Sequence, residues 1–399
     1  DALPISTGVA VRGVLLENEV GASDVPTVVN SIFVSDTSRF VFAFGCHELG
    51  GSTLDPMLVR WSNQEDPLMW TPAATNQAGS LRLSHGSEII TALQSRQEIL
   101  VWTDSTLYSL QYLGAPEVWG SQLLGDNLSI AGPNAVAFAG GVSYWMGVDK
   151  FYKYDGRVQT LRCDLRQYIF SDINTAQADQ IFSGTNEGFN EVWWFYVSNT
   201  EVALAAQESR DPTIDRYVIY NHLERLWYYG NMSRTFWLDS PLQSYPLSAY
   251  GNDIAATNTL LFHENGTDDA ATASPQPFTA YIQSSDFDIG DGHNFGFVWR
   301  IIPDITFTGS NSGYPQVTME VRPRQFSGSP YGPTDLDTVQ TTQQYTPIVK
   351  SYTVEQYTPQ VYTRIRGRQI AFRIESADQL GVAWQLGSPR IDIRPDGRR

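Results

Sequence analysis

The chain has 399 residues, 42% of them hydrophobic, so it is long enough for substantial cores, and its length suggests two or three domains. Charged residues are few (17%) and aromatic residues many (13%), which is typical of strands and turns rather than of helices. The net charge of −17 argues against a domain that grips nucleic acid. The sequence contains no run of eighteen apolar residues, the pattern that would predict a membrane-spanning helix.

Pairs of aromatic strands separated by short turns fill the first two thirds of the sequence. Residues 1–30 are interpreted as an N-terminal extension or first strand, and residues 31–44 as the first strand pair. Further pairs lie at 57–70, 99–110, 142–154 and 191–229, with a weaker one at 236–263.

A Trp residue recurs in these strand pairs. Trp61, Trp102, Trp145 and Trp194 are separated by 41, 43 and 49 residues. A period of about 40 to 50 residues with several strands per period is typical of a β-propeller, in which bulky side chains fill the space between blades. We therefore predict an all-β chain with a propeller of five or six blades over residues 31–275. Its Trp side chains are expected to pack between blades rather than to form a binding stripe.

Two segments in this region depart from the strand pattern. Apolar residues at helical spacing predict a short helix over residues 163–173. They are Leu165, Tyr168, Ile169 and Ile173. Residues 200–211 show no alternation and are followed by Pro212, so we interpret them as a loop inserted between two strands.

The pattern changes at the Pro-rich residues 274–277. Strict alternation of apolar and polar residues after this point indicates sheets with one buried face, and we predict a β-sandwich over residues 276–399. The alternating stretches are 280–283, 300–307, 316–322, 369–375 and 382–386. Residues 324–360 are rich in Ser, Pro, Gly, Thr and Gln, which predicts a long loop.

The sequence contains no pattern that indicates catalysis. The histidines are interpreted as surface or turn residues, because none has metal-ligand spacing or a nucleophile motif nearby. They are His47, His85, His222, His263 and His293. The densest acidic segments, 268–269 and 286–292, lack the full ligand set of a calcium loop and are interpreted as solvated turns. Asp-box repeats of the sialidase type are absent, so we predict a protein that is not an enzyme and uses no cofactor or metal.

The two cysteines, Cys46 and Cys163, lie in different repeats and far apart in sequence. A zinc site would need a cluster of such residues. We expect two buried free thiols, and a single disulfide between them is the alternative.

Basic residues cluster near the C-terminus in the pattern Tyr-x-Arg-x-Arg-x-Arg. The arginines of interest are Arg364, Arg366, Arg368 and Arg373. On a strand, the period of two puts the first three on one face. Residues 296–399 hold 12 Lys and Arg against 9 Asp and Glu, whereas residues 1–295 hold 14 against 34. Two interpretations are open: a basic stripe that contacts DNA phosphates or an acidic neighbouring subunit, and a solvated strand face. The subunit contact is the simpler functional version, because the preceding region is acidic.

Several stretches of the sequence resemble a family of tailed-phage virion proteins, the tail nozzle or packaged-DNA-stabilisation proteins of short-tailed bacteriophages. They are DPMLVRWS at 55–62, RQEILVWTD at 96–104, YWMGVDKFY at 144–152, YVIYN at 217–221 and RIDIRPDGRR at 390–399. The resemblance runs from about Val11 onward and covers most of the chain. Its motifs are strands and turns, so they indicate a family more than a mechanism.

This resemblance implies a β-propeller subunit that forms a ring, often a hexamer, below the portal and adaptor proteins of the virion tail. The ring lumen would conduct the packaged DNA with little specific contact and help to retain the genome before infection. Tail fibres are further implied partners, no membrane is involved, and no catalytic residue is implied.

A hypothesis of a different class is a virion propeller that binds or cleaves glycans on the host surface. The many aromatic residues motivate it, because sugars stack on exposed aromatic faces. An exposed Trp cluster beside two carboxylates would favour this hypothesis over the structural one.

Overall fold

The computed structural model describes residues 14–252, 257–270, 274–290, 292–331 and 348–398. Its contacts divide the chain into two compact units, Asp1–His263 and Glu264–Arg399, here called the propeller unit and the sandwich unit. The sequence placed the junction at 275–276. The structural division falls earlier, because the last long strand of the first unit ends at Phe262 and a short hairpin at 268–277 belongs to the second unit.

Four consecutive antiparallel sheets of four strands make up most of the propeller unit, and in each sheet the strands pair in chain order. Short turns connect most neighbouring strands; Gly140 and Gly141, for example, both have positive φ (55° and 82°), which suits a two-residue hairpin turn. The first sheet is β1 (Val29–Ser35), β2 (Phe40–His47), β3 (Leu54–Trp61) and β4 (Gly79–Arg82). The second is β5 (Ile89–Gln94), β6 (Ile99–Thr103), β7 (Thr106–Tyr112) and β8 (Trp119–Asp126). The third is β9 (Val136–Ala139), β10 (Val142–Met146), β11 (Phe151–Tyr154) and β12 (Val158–Leu161). The fourth is β13 (Phe182–Asn186), β14 (Glu191–Tyr196), β15 (Arg216–Asn221) and β16 (Leu226–Asn231).

A fifth sheet of three strands follows, β17 (Phe236–Leu238), β18 (Leu247–Asn252) and β19 (Thr257–Phe262). The first strands of successive sheets adjoin one another, β1 with β5, β5 with β9, β9 with β13 and β13 with β17. Consecutive antiparallel sheets that meet along their first strands are the blades of a β-propeller, so the predicted fold class is confirmed. The described residues form five such sheets.

The Trp residues of the repeat pack between sheets, as the sequence predicts. Trp102 of the second sheet meets Trp145 of the third edge to face, with ring centroids 5.4 Å apart. Trp194 of the fourth sheet lies 5.0 Å from Phe151 of the third. These three Trp side chains are 0% exposed, and Trp61 is buried in the neighbouring cluster between the first two sheets.

Two helices interrupt the strands of the propeller unit. α1 (Arg166–Asp172) confirms the predicted short helix, and it buries Ile169. The interpretation of residues 200–211 as a loop is wrong, because α2 spans Asn199–Glu208. Short 3-10 turns occupy Leu16–Asn18 and Thr175–Gln180. None of the helices in the described ranges is long and apolar enough to cross a membrane.

The helix α2 begins at an N-cap serine, Ser198. The Ser198 hydroxyl accepts a hydrogen bond from the amide of Glu201 at 3.0 Å, which satisfies one of the free N–H groups of the first turn. The same hydroxyl donates to Asp215 at 2.7 Å. Glu201 in turn is paired with Arg210 just beyond the helix. This polar network holds α2 in the β14–β15 connection without a strong apolar stripe.

The sandwich unit contains two facing sheets, preceded by the hairpin of β20 (Asp268–Asp269) and β21 (Gln276–Pro277). One sheet consists of β22 (Tyr281–Gln283), β28 (Gln369–Ser376), β25 (Gln316–Arg324) and β26 (Lys350–Glu355), in that spatial order. The other has the order β27 (Val361–Gly367), β23 (Gly296–Ile302) and β30 (Arg390–Pro395). A separate sheet of two short strands, β24 (Ile305–Thr306) and β29 (Gln385–Leu386), completes the sandwich unit.

Alternating residues of the two facing sheets form one apolar core. Val298 and Ile365 come from the three-stranded sheet, and Met319 and Ile374 come from the four-stranded sheet. This arrangement confirms the predicted sandwich. The predicted long loop over 324–360 is wrong in part, because it contains β26; residues 332–347 of that prediction lie outside the described residues.

Candidate interaction surface

The residues considered for catalysis or metal binding are held in structural contacts. The interpretation of all five histidines as surface or turn residues is wrong for His47 and His263, which are buried. The Nε2 atom of His47 accepts a hydrogen bond from the amide of Thr27 at 3.0 Å. Nε2 of His263 lies 3.0 Å from Arg234 and 2.6 Å from the hydroxyl of Ser248, in a site closed to solvent.

The acidic segments also serve the fold. A carboxylate of Asp268 accepts the amide of Gly381 at 2.8 Å, and Asp286 accepts the hydroxyl of Tyr331 at 2.6 Å. Asp286 is also 3.1 Å from Arg324. Asp291, in the calcium-like segment, lies outside the described residues. In the part of the chain that the structure describes, no group of three His, Cys, Asp or Glu side chains is placed to hold a metal ion.

Cys46 and Cys163 are free thiols, as expected, but Cys163 is only partly buried. Burial raises the pKa of Cys46 to about 11 and that of Cys163 to about 12. A thiol must ionise to act as a nucleophile, so neither side chain is suited to that role near neutral pH.

The predicted basic stripe is partly assembled on β27. Burial alternates along this strand, so that Arg364 and Arg366 point outward and Thr363 and Ile365 point into the sandwich. Arg368 lies just beyond the strand, where its guanidinium and that of Arg366 lie 5.1 Å and 4.1 Å from the centroid of the Phe295 ring.

Arg373 does not belong to the stripe. It lies on β28 in the other sheet, forms an ion pair with Glu375 at 2.9 Å, and covers the ring of Tyr281 at 3.7 Å. The chain passes from one sheet to the other between β27 and β28, so the alternation of one strand does not continue into the next.

Two further strands extend the stripe into a surface. The antiparallel register places Phe297 opposite both Arg366 and Arg394, and Arg300 opposite both Tyr362 and Asp392. The outward residues of the three-stranded sheet, here called the basic face, are Phe297, Trp299, Arg300, Tyr362, Arg364, Arg366, Arg390, Asp392 and Arg394. The face therefore contains five arginines, three aromatic rings and one carboxylate, in a chain with a net charge of −17.

The arginines of the basic face differ in their partners. Two of them have carboxylate partners: Nε of Arg300 donates to Asp392 at 2.6 Å, and Nε of Arg366 donates to Asp396 at 2.6 Å. Arg364, Arg390 and Arg394 have no carboxylate partner among the residues that the structure describes. These three guanidinium groups can each receive an external anion without first losing an internal one.

Aromatic rings separate the charges on this face. The ring of Trp299 lies 4.9 Å from the guanidinium of Arg300 and 5.2 Å from that of Arg394. The Tyr362 side chain is 64% exposed, and its ring centroid is 6.4 Å from that of Trp299. Such Arg and aromatic combinations are enriched at interfaces, because both side chains offer a large contact area as well as polar contacts.

A groove of about 770 Å³ runs along one side of the basic face. Its walls include Phe297, Trp299, Lys350, Tyr352, Tyr362 and Arg364. The Tyr352 hydroxyl donates to the Thr363 hydroxyl at 2.7 Å, which links the two strands on either side of the groove. The groove thus combines aromatic walls with two cations.

The chain was compared with protein families, curated proteins and solved structures. No protein-family model matches it, and no curated protein matches it. Among solved structures, it is similar to a chain in a Saccharomyces cerevisiae complex of Dbp5 with Nup159, Gle1, IP6 and ADP, at 9% identity and a TM-score of 0.31, covering 90% of this chain and 91% of that one. It is also similar to the N-terminal domain of Nup159, at 8% identity and a TM-score of 0.25, covering 89% and 91%. Alignments this loose carry no information on function.

The basic face is therefore defined by its geometry. Sequence reasoning found Arg364 and Arg366 from their alternation but missed Arg300, Arg390 and Arg394, which lie on distant segments. The one available signal was the composition of residues 296–399, where basic residues exceed acidic ones. Chemically, the face can bind anionic groups and aromatic or apolar side chains; no acid–base pair or nucleophile lies on it.

Proposed function

We propose that the protein is a non-enzymatic structural subunit of a bacteriophage tail, a nozzle or hub component in the virion that forms a ring, with a hexamer as the expected form. The ring surrounds the DNA exit channel below the adaptor and portal-side proteins, and it helps to retain and then to conduct the genome. The resemblance of the sequence to tail nozzle proteins supports this proposal, as does a propeller unit in which acidic residues far outnumber basic ones.

The observation that carries the proposal is the charge contrast between the two parts of the chain. A basic face on which three arginines have no carboxylate partner among the described residues complements the acidic surface that a neighbouring copy would present. Contact between unlike surfaces of identical subunits is heterologous, and such contacts form rings when the rotation between subunits closes. An acidic propeller repels the DNA phosphates, which suits a channel through which DNA must slide.

The glycan-active alternative is motivated by the many aromatic residues of the chain. In the propeller unit, Trp102, Trp145 and Trp194 are fully buried between sheets and are not available to stack on a sugar. The aromatic richness of this unit is accounted for by packing.

Light scattering after size exclusion, together with negative-stain microscopy, tests the proposal on the purified chain with and without its adaptor protein. We expect ring particles that dissociate as the salt concentration rises. The double variant Arg390→Glu/Arg394→Glu should weaken the ring, whereas Arg162→Glu, an exposed arginine of the propeller unit, should not. A wild-type chain that stays monomeric at every concentration and does not bind the adaptor contradicts the proposal.

A further inference from the structure

The groove beside the basic face lies along an open side of the sandwich. Among the described residues, β27 is an edge strand that pairs only with β23 in its sheet, and β26 is an edge strand that pairs only with β25. Residues of both edges line the groove, namely Lys350 and Tyr352 from β26 and Tyr362 and Arg364 from β27. An edge strand has backbone N–H and C=O groups on its free side that can pair with another extended chain.

The charge in the groove is unbalanced. Lys350 and Arg364 line it, and neither has a carboxylate partner among the described residues. The nearest acidic group on the neighbouring strand, Glu320, is already paired with Arg322 at 3.2 Å and accepts a hydrogen bond from Ser351 at 3.3 Å. A ligand that supplies carboxylates at this position would therefore complete two charge-assisted contacts.

The groove also has a clear apolar component. Phe297 and Tyr362 present their rings along its length, and Tyr362 is among the most exposed aromatic residues that the structure describes. In a strand, successive side chains point to opposite sides. An extended peptide beside β27 can thus direct one set of side chains to the outward side, where Arg364, Tyr362 and Phe297 lie, and the other set toward Lys350 and Tyr352 of β26.

We propose that this groove binds an extended acidic segment of a partner protein, which adds as a strand to the free edge of β27. Charge complementarity selects the acidic segment, and the free edge selects a polypeptide over a saccharide, because only a polypeptide continues the ladder of backbone hydrogen bonds. The proposal uses one side of the basic face and goes beyond the ring. Peptide binding and ring formation are measured separately, so failure of one is distinguishable from failure of the other.

Fluorescence anisotropy with a short labelled peptide of alternating Asp or Glu and Val tests the proposal on the full chain. We expect saturable binding that weakens with salt. A second peptide has Pro at its central Val position. Pro lacks the amide that the ladder needs, so we expect this peptide to bind at least about tenfold more weakly. A third peptide with Lys in place of the acids should not bind.

Variants of the chain locate the site. Arg364→Glu should weaken binding of the acidic peptide by about tenfold or more, and Tyr362→Ala should weaken it by a smaller factor. The matched control Arg162→Glu should leave binding unchanged. Circular dichroism of each variant establishes that it is folded.

Four outcomes overturn the proposal. If the Pro-containing peptide binds as tightly as the first peptide, the peptide does not add as a strand. If an acidic oligosaccharide binds more tightly than the peptide, the groove is a glycan site. Self-association that Arg364→Glu abolishes, with binding of the acidic peptide unchanged in the same variant, assigns the groove to a second copy. Tighter peptide binding by the Asp335→Asn/Asp337→Asn variant assigns the groove to the chain's own segment around these two residues, which lies outside the described residues.

Discussion

Aromatic residues have opposite environments in the two units of the chain. In the propeller unit, Trp102, Trp145 and Trp194 are completely buried between sheets. In the sandwich unit, Tyr362 is 64% exposed, and Trp299 lies beside two guanidinium groups on the outer surface. A propeller blade lies between two other blades, so both of its faces are covered, whereas each sheet of a sandwich has one uncovered face. The same residue type therefore stabilises one unit and remains free for a partner on the other.

The largest effect is expected when one Trp in each unit is replaced. Trp102→Ala should lower the free energy of unfolding by about 3–5 kcal/mol, because it leaves a cavity between two blades. Trp299→Ala should lower it by less than about 1 kcal/mol, since this side chain fills no core. Calorimetry of both variants measures the difference. Similar losses in the two variants would mean that Trp299 is part of a core.

A smaller effect is expected at the cap of α2. Ser198→Ala removes both the acceptor for the Glu201 amide and a donor to Asp215, so the free energy of unfolding should fall by about 1–2 kcal/mol. Burial raises the pKa of Asp215, and hydrogen bonds from Ser198 oppose this rise. The control is Ser171→Ala, an exposed hydroxyl on α1 that should cost less. Equal losses of unfolding free energy for the two variants in urea denaturation would contradict the N-cap role of Ser198.

Acid should lower the stability of the propeller unit through Glu201. Burial alone would raise the pKa of this carboxyl, but hydrogen bonds from Arg210 and from the amide of Thr213 hold the pKa below its ordinary value. A lowered pKa in the folded state adds stability above the unfolded pKa of about 4.3, and this stability is lost as the pH falls through the folded pKa.

The corresponding variant is Glu201→Gln. Its deficit in stability relative to the wild type should be greatest above about pH 5 and should shrink toward zero by about pH 3. The control Asp392→Asn alters a more exposed ion pair, so its deficit should be smaller throughout. A deficit for Glu201→Gln that is constant with pH would rule out a role for ionised Glu201.

The smallest effect on stability is expected at the basic face itself. Arg364→Ala should change the free energy of unfolding by no more than about 0.5 kcal/mol, because Arg364 is exposed and has no carboxylate partner among the described residues. A large loss of stability would show that the face belongs to the fold and is not free for a partner. Thermal melts of the variant beside the wild type decide between these outcomes.

The propeller was predictable because its information is local. Each sheet pairs strands that follow one another in the chain, so a repeated strand, turn and Trp pattern is visible in a short window. The helix α2 escaped prediction because it has no apolar periodicity and is held by the polar contacts of Ser198 and Glu201. Its cap, a Ser followed three residues later by a Glu, was the signal that could have revealed it.

The basic face was less predictable because its residues come from strands that are far apart in sequence. Alternation within β27 correctly placed Arg364 and Arg366 on one side. Arg300 and Arg394 join them only through pairing with strands far away in sequence, and bulges between Val298 and Arg300 shift that register. Arg373 was grouped with them only by proximity in sequence, and the crossing between sheets separates it.

The pairing of β23 with β30 has a consequence for synthesis. In the propeller unit, hairpin partners such as Ala139 and Val142 leave the ribosome together, so each sheet can form while translation continues. In the sandwich, Ile302 of β23 pairs with Arg390 of β30, so this pairing can form only after Arg390 has been synthesised. A polypeptide that stops before Arg390 lacks one strand of the three and the arginines at 390 and 394. The basic face thus exists only on copies whose translation has reached that strand, and a copy that ends earlier cannot make a contact that needs the whole face.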